Sequence, residues 1–238
     1  MEAEISLEGR RAPDLPPALA IRGFSKRFGG ALALNDVALD VMPGEVHGLL
    51  GQNGSGKSTL IKILAGFHAP EPGAELIVHG KPAPMPIPAG AALPLGLAFV
   101  HQHLALVPSL SVLENLRIGE FATETRWRID WRAERARARE TFARFGLAID
   151  PDARVRDLPQ VERALLAIVR AFEDIGARHD RGNPGVLILD EPTPFLPRAG
   201  VDRLFALVRG IVREGASVIF VSHDVDEVLE ITDRATVL

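Results

Sequence analysis

The sequence predicts an α/β fold built on a parallel sheet, and three observations carry that prediction. The first is Gly51-Gln52-Asn53-Gly54-Ser55-Gly56-Lys57-Ser58, a complete G-x-x-x-x-G-K-[ST] phosphate loop. The apolar-rich run Val46-His47-Gly48-Leu49-Leu50 leads into it, and Thr59-Leu60-Ile61-Lys62-Ile63-Leu64-Ala65 leads out with helical spacing. The second is a pair of short buried-strand runs, Val186-Leu187-Ile188-Leu189 and Ser217-Val218-Ile219-Phe220-Val221, separated by the helical pattern Val201 to Arg213. The third is what ends them: Asp190-Glu191 after one and Ser222-His223-Asp224 after the other. The carboxyl ends of parallel strands are where such sheets bind ligands.

Taken in order, residues 1–17 are polar and Pro-bearing and read as a flexible tail. Ile21 to Ser25 and Val37 to Val41 alternate with period two and predict strands, and Pro43-Gly44 marks a turn before the phosphate-loop strand. Glu75 to Val78 and Leu97 to Val100 predict two more strands, with an irregular Pro/Ala/Gly stretch, Pro82 to Pro94, between them. From about Ser111 to Ala171 the pattern is helical. Within it, Arg132, Arg135, Arg137 and Arg139 interleave with Glu134 and Glu140, which reads as a solvated helix face rather than a nucleic-acid patch. The polar stretch Glu173 to Gly185 reads as a surface loop. The chain stops at Ala235-Thr236-Val237-Leu238, inside an expected closing strand, which suggests a longer protein.

A chain of 238 residues can bury a substantial core. Its net charge of -4 argues against a dedicated nucleic-acid binder, and the lack of cysteine excludes disulfides and thiolate metal sites. Met1 to Ser6 lacks the apolar region of a secretory signal, and no apolar run reaches the roughly 18 residues of a membrane span.

The motifs imply a nucleoside triphosphate and Mg²⁺. Glycines let the loop turn tightly and bring backbone N–H groups to phosphate oxygens, and the following helix points its positive end at the same anion. Gly51 through Thr59 are the candidate nucleotide-binding residues. Lys57 would reach the β- and γ-phosphates, and the Ser58 hydroxyl would bind Mg²⁺. Asp190 would hold the metal and Glu191 would polarise the attacking water. His223 can hydrogen-bond the γ-phosphate, and Gln102 can bind the metal or the attacking water. His101 and His103 suggest a metal pair, but no third ligand type completes a zinc set.

The ordered set Gly51–Ser58, Gln102, Leu189-Asp190-Glu191-Pro192-Thr193 and His223 resembles the ATPase subunits of ATP-binding cassette (ABC) transporters. The resemblance implies a P-loop NTPase with a RecA-like core, an antiparallel β subdomain and an inserted helical subdomain at about 103–171, together making one domain over 18–238. It also implies ATP as the nucleotide and docking on a membrane permease at the cytoplasmic face of the membrane, with a solute-binding protein acting indirectly. Phe28 would stack on adenine; a core aromatic is the other reading of that residue. Val100-His101-Gln102, Leu106-Val107-Pro108 and Ser111-Val112-Leu113-Glu114-Asn115 are most similar to importers of simple sugars such as ribose, xylose or galactose.

Two departures bear on function. Where the family usually has Leu-Ser-Gly-Gly-Gln, this chain has Leu158-Pro159-Gln160-Val161-Glu162. Pro159 supplies neither hydroxyl nor N–H, and Val161 crowds the approach. Where the family usually has Ala-Leu-Asp after the strand acids, Pro194-Phe195-Leu196-Pro197 stands instead. The chain therefore resembles the first half of a tandem sugar-importer ATPase, able to receive nucleotide but poor at completing the site of a second cassette. Two other readings stay open: a soluble ABC-type ATPase acting on ribosomes or DNA, and a regulatory cassette with negligible turnover.

Overall fold

Two sheets share the chain. The computed structural model describes residues 4–6, 15–102, 104–121, 129–178, 185–194 and 196–238. One sheet has strands β1 (Glu4–Ser6), β4 (Val46–Leu50), β7 (Leu97–Val100), β8 (Val186–Asp190), β9 (Ser217–Ser222) and β10 (Arg234–Val237), in the spatial order β1-β10-β4-β9-β8-β7. All its ladders are parallel except that of β1 with β10. The other sheet is antiparallel, formed by β2 (Leu19–Phe28), β3 (Ala31–Val41), β5 (Glu75–Val78) and β6 (Lys81–Ala83), in the order β3-β2-β5-β6.

The six-stranded sheet is apolar on both faces because each face is covered, and side chains alternate across it with period two. Leu187 and Leu189 of β8, with Val218 and Phe220 of β9, enter one hydrophobic cluster with α4 (Gln160–Arg178), α5 (Arg198–Arg213) and α6 (Val225–Ile231). Val186, Ile188, Ile219 and Val221 enter the other, with α1 (Lys57–Leu64) and the antiparallel sheet. At Gly48 of β4 a Cβ would stand 2.7 Å from Val228 and 3.1 Å from Ala235, so α6 reaches the sheet only because that side chain is missing.

Helices α2 (Val112–Phe121), α3 (Trp131–Arg144) and α4 carry the helical stretch. On α3, Glu134, Ala138, Thr141 and Phe142 are buried at helical spacing. The arginine run engages nearby acids: Arg135 meets Asp152 at 2.6 Å and Arg137 meets Glu134 at 3.2 Å. That is the pattern of a solvated face.

Three expectations need correction. The polar start is not tail throughout, since Glu4–Ser6 pairs with Thr236, Ala235 and Arg234; β10 offered an open edge, and pairing along it needs no apolar pattern. Glu173 to Arg178 is helix, not loop, because Ile175 continues the buried stripe of α4 and Glu173 is held by Arg144. Pro82 lies within the short edge strand β6, where a missing N–H is tolerated. Residues 1–3, 7–14, 122–128 and 179–184, together with His103 and Phe195, lie outside the described residues.

Candidate functional site

Strand register assembles the site. Leu50 pairs with Ser222, Asp190 with Val221, and Val100 with Leu189, so four parallel strands finish within a residue or two of one another. Strand β9 lies between β4 and β8, which sets the phosphate-loop strand and the acid-bearing strand about 10 Å apart. The loop Gly51–Gly56, the pair Asp190-Glu191, the turn Ser222-His223-Asp224 and the segment carrying Gln102 thus share one edge.

The loop is built for an anion. Gly54 and Gly56 have φ of 88° and 104°, and a Cβ on Gly56 would stand 2.5 Å from the carbonyl oxygen of Ala33. Only glycine lets β3 pass so close beneath. Gly56 caps α1 without a side-chain hydrogen bond, and no acid stands in that helix's first turn, so the positive end of α1 faces the loop uncompensated. The Lys57 ammonium is buried and donates to the carbonyls of Gly51 and, at 3.1 Å, Gln52. Among the described residues no carboxylate pairs with it. Ser55 Oγ is buried with no hydrogen-bond partner. A buried cation held by neutral oxygens, an orphaned hydroxyl and an uncapped helix together fit a phosphate chain.

Gln52, Asn53, Gly54 and Ser58 are exposed, and Thr59 is half-buried on α1. The hydroxyl of Ser58 and the carboxylate of Asp190 are hard oxygen donors of the kind that hold Mg²⁺ beside substrate phosphates. Among the described residues no three His, Cys, Asp or Glu side chains cluster to form an all-protein metal cage; His103, the second member of the histidine pair, lies outside them. His101 instead stacks on Phe99, with its Nδ1 3.6 Å from Asp190 Oδ2.

Glu191 has φ of 48°, a left-handed conformation that costs a non-glycine residue about 1–3 kcal/mol. The ladder holds it there, its N–H donating to the carbonyl of Val221 at 3.0 Å. Its Oε1 lies 3.2 Å from Nδ1 of His223, so the two side chains meet across the gap between β8 and β9. Asp224 caps α6, accepting from the N–H groups of Asp226 and Glu227. Sequence reasoning missed Glu227, whose Oε2 accepts from Thr193 Oγ1 at 2.7 Å and Ser222 Oγ at 3.2 Å and so ties the two strand ends together. The available signal was Asp224-x-x-Glu227, a helix-start pattern that hides this cross-link.

Phe28 is 45 % exposed, which removes the core-aromatic reading. It stands at the tip of the β2–β3 hairpin, edge-on to His68 at 5.2 Å, on the hairpin whose Ala33 underlies Gly56. Gln102 is exposed beyond β7, on the same edge as the acids. Away from the edge, Pro159 is exposed at the start of α4, and Val161 presses on α5: a Cβ on Gly200 would stand 2.7 Å from Val161 Cγ2.

Residues 34–194 match the model of the ABC transporter family. The chain belongs to that family. It is 41 % identical over 223 residues to a protein named ribose import ATP-binding protein RbsA 2 of Rubrobacter xylanophilus, covering 93 % of this chain and 41 % of that one. It is 43 % identical over 222 residues to RbsA 1 of the same organism, covering 93 % and 42 %. The cassette thus spans less than half the length of these curated relatives. Among solved structures it is similar to an ATP-binding cassette of an ABC transporter in its ADP conformation, with a TM-score of 0.79 and 24 % identity, covering 93 % of this chain and 87 % of that one. It is also similar to cbiO1 of Clostridium perfringens, part of the ABC transporter complex cbiONQ, with a TM-score of 0.77 and 25 % identity, covering 93 % and 84 %.

Proposed function

We propose that this cassette binds and hydrolyses ATP to power import of a solute, a sugar, through membrane permease subunits. The observation that carries the reading is the shared sheet edge, where an anion cradle and a strained acid–histidine pair finish neighbouring strands. The import ATPase names of its relatives support a sugar as cargo. Among the described residues no helix is long and apolar enough to cross a membrane, which suits a peripheral subunit acting at the cytoplasmic face through a permease, with a solute-binding protein delivering cargo to it.

In this reading Gly51 through Thr59 bind the triphosphate and Phe28 stacks on adenine. Lys57 exchanges its bonds to the loop carbonyls for bonds to the β- and γ-phosphates. Ser58, Asp190 and Gln102 hold Mg²⁺, which when bound neutralises charge on the phosphates. Glu191 takes the proton of the attacking water as it adds in line to the γ-phosphorus, while the bond from that phosphorus to the β,γ-bridging oxygen breaks and ADP leaves. His223, fixed against Glu191, donates to the γ-phosphate and steadies the charge that develops there.

The segment Leu158 to Arg163 favours an asymmetric pair. Pro159 and Val161 leave this cassette a weak donor to a partner's nucleotide, while its own edge awaits a second cassette with intact donors. The same two residues favour, as a second reading, a regulatory cassette with negligible turnover. Hydrolysis measured with a second, signature-bearing cassette decides between them. We expect Glu191→Gln to lower kcat by about 10²–10⁴-fold while ATP binding persists. A paired wild type no faster than Glu191→Gln removes the enzyme reading and leaves the regulatory one.

A further inference from the structure

The loop that carries Gln102 is held from an unexpected direction. Arg170, on α4, donates from Nη1 to the carbonyl of Ala105 at 2.9 Å and from Nη2 to the carbonyl of Leu104 at 3.2 Å. These carbonyls stand two and three residues beyond Gln102. Ala105 has φ of 49°, a left-handed conformation that a non-glycine residue keeps only where its surroundings impose it. Arg170 also walls a cavity of about 370 Å³ together with Phe67, Phe99, His101 and Asp174. Burial there pushes the guanidinium pKa down and Asp174, one turn along the helix, pulls it back. The side chains of Leu104 and Leu106 rest on the main core independently of this contact.

We propose that Arg170 is the positioning residue for Gln102, a two-pronged clamp from α4 that fixes the backbone from which Gln102 reaches the nucleotide site. The planar guanidinium suits the task because it spans two successive carbonyls at once, which an ammonium cannot do with the same geometry. Without the clamp, Ala105 is free to relax out of its left-handed conformation, and Gln102 shifts while the apolar anchors keep the segment folded. The inference rests on the reading above that Gln102 serves the metal and the attacking water.

The test uses Arg170→Met, which keeps the aliphatic stem and loses the donors, beside Arg170→Lys, Gln102→Ala and the double variant Arg170→Met/Gln102→Ala. Amide hydrogen exchange reads the loop directly. Arg170→Met should speed exchange at residues 101–107 by about tenfold or more and leave β8 and β9 protected, with Arg170→Lys in between. The Mg²⁺ concentration for half-maximal binding of a fluorescent ATP analogue should rise in Arg170→Met about as much as in Gln102→Ala, and no further in the double variant. Unchanged exchange at 101–107, or effects that multiply in the double variant, would overturn the clamp. A Gln102→Ala titration identical to wild type would instead sink the role given to Gln102, while the exchange data still decide whether Arg170 holds the loop. If Arg170→Met lowers the melting temperature by more than about 10 °C, Arg170→Lys is judged by the same criteria.

Discussion

The carboxyl edge of the parallel sheet and the segment Leu158 to Arg163 are built on different principles. On the edge, the phosphate loop, the acid pair and His223 each follow a strand whose register is fixed by neighbours on both sides, so uncommon backbone conformations survive at Gly54, Gly56 and Glu191; only Gln102 follows the outermost strand, β7. At the start of α4 no ladder holds the chain. Pro159 is exposed, Gln160 opens the helix, and Val161 lies close against Gly200. A half-site made by a sheet cannot lose one part without disturbing the fold. A half-site made by a loop's hydroxyl and amides can lose its chemistry and leave the core intact. The asymmetry proposed for this cassette falls on the side where loss is structurally inexpensive.

Adding one methyl group to each region tests that contrast, and the larger effect belongs to the edge. Gly56→Ala places a Cβ 2.5 Å from a backbone oxygen of β3 at a φ of 104°, and neither the oxygen nor the dihedral can yield. We expect a loss of about 3 kcal/mol or more in thermal unfolding, and no binding of a fluorescent ATP analogue. A Gly56→Ala protein that melts and binds like wild type would show that the loop is not held as rigidly as the ladder implies.

Gly200→Ala is the milder counterpart. The new Cβ meets a valine methyl at 2.7 Å rather than backbone, and the position is helical. Better helix propensity offsets part of the crowding, so the expected net cost is about 1–2 kcal/mol. Val161→Ala should remove most of it, giving a coupling energy of about 1 kcal/mol in a double-mutant cycle read by chemical denaturation. Additive effects would mean that Val161 does not fill the space beside Gly200.

Legibility divides along the same line. The phosphate loop, the strands at 186–190 and 217–222 and their terminal acids could be read from sequence because glycine spacing and continuous apolar runs are local signals. Strand β1 could not, since Glu4 to Ser6 carries no apolar pattern and owes its conformation to β10. The end of α4 was hidden by its charges, although Phe172 and Ile175 continue the apolar spacing beneath them. The links made by Glu227 and Arg170 join residues 34 and about 65 positions apart, and no local pattern announces a partner at that distance.

The smallest expected effect belongs to neither region and serves as their control. Ser111 and Glu114 form a capping box at the start of α2: Glu114 Oε2 accepts from the Ser111 N–H at 2.7 Å and hydroxyl at 2.8 Å, and Glu114 N–H donates to Ser111 Oγ at 3.1 Å. The backbone bond, then the hydroxyl, hold the Glu114 carboxyl below its ordinary value of 4.5. Because the folded value is the lower one, the charged cap contributes fully above the unfolded value and fades as pH falls through the folded value. Glu114→Gln keeps the shape and removes the charge, so it should cost about 0.5 kcal/mol at pH 7, with the difference in melting temperature closing once the pH drops below 4.5. ATP binding should not change, because the capping bonds of Glu114 run to Ser111 and to no group named at the sheet edge. A Glu114→Gln variant that lost nucleotide affinity would mean that the helical stretch and the edge respond as one unit, and the division drawn between a fixed half-site and a dispensable one would no longer hold.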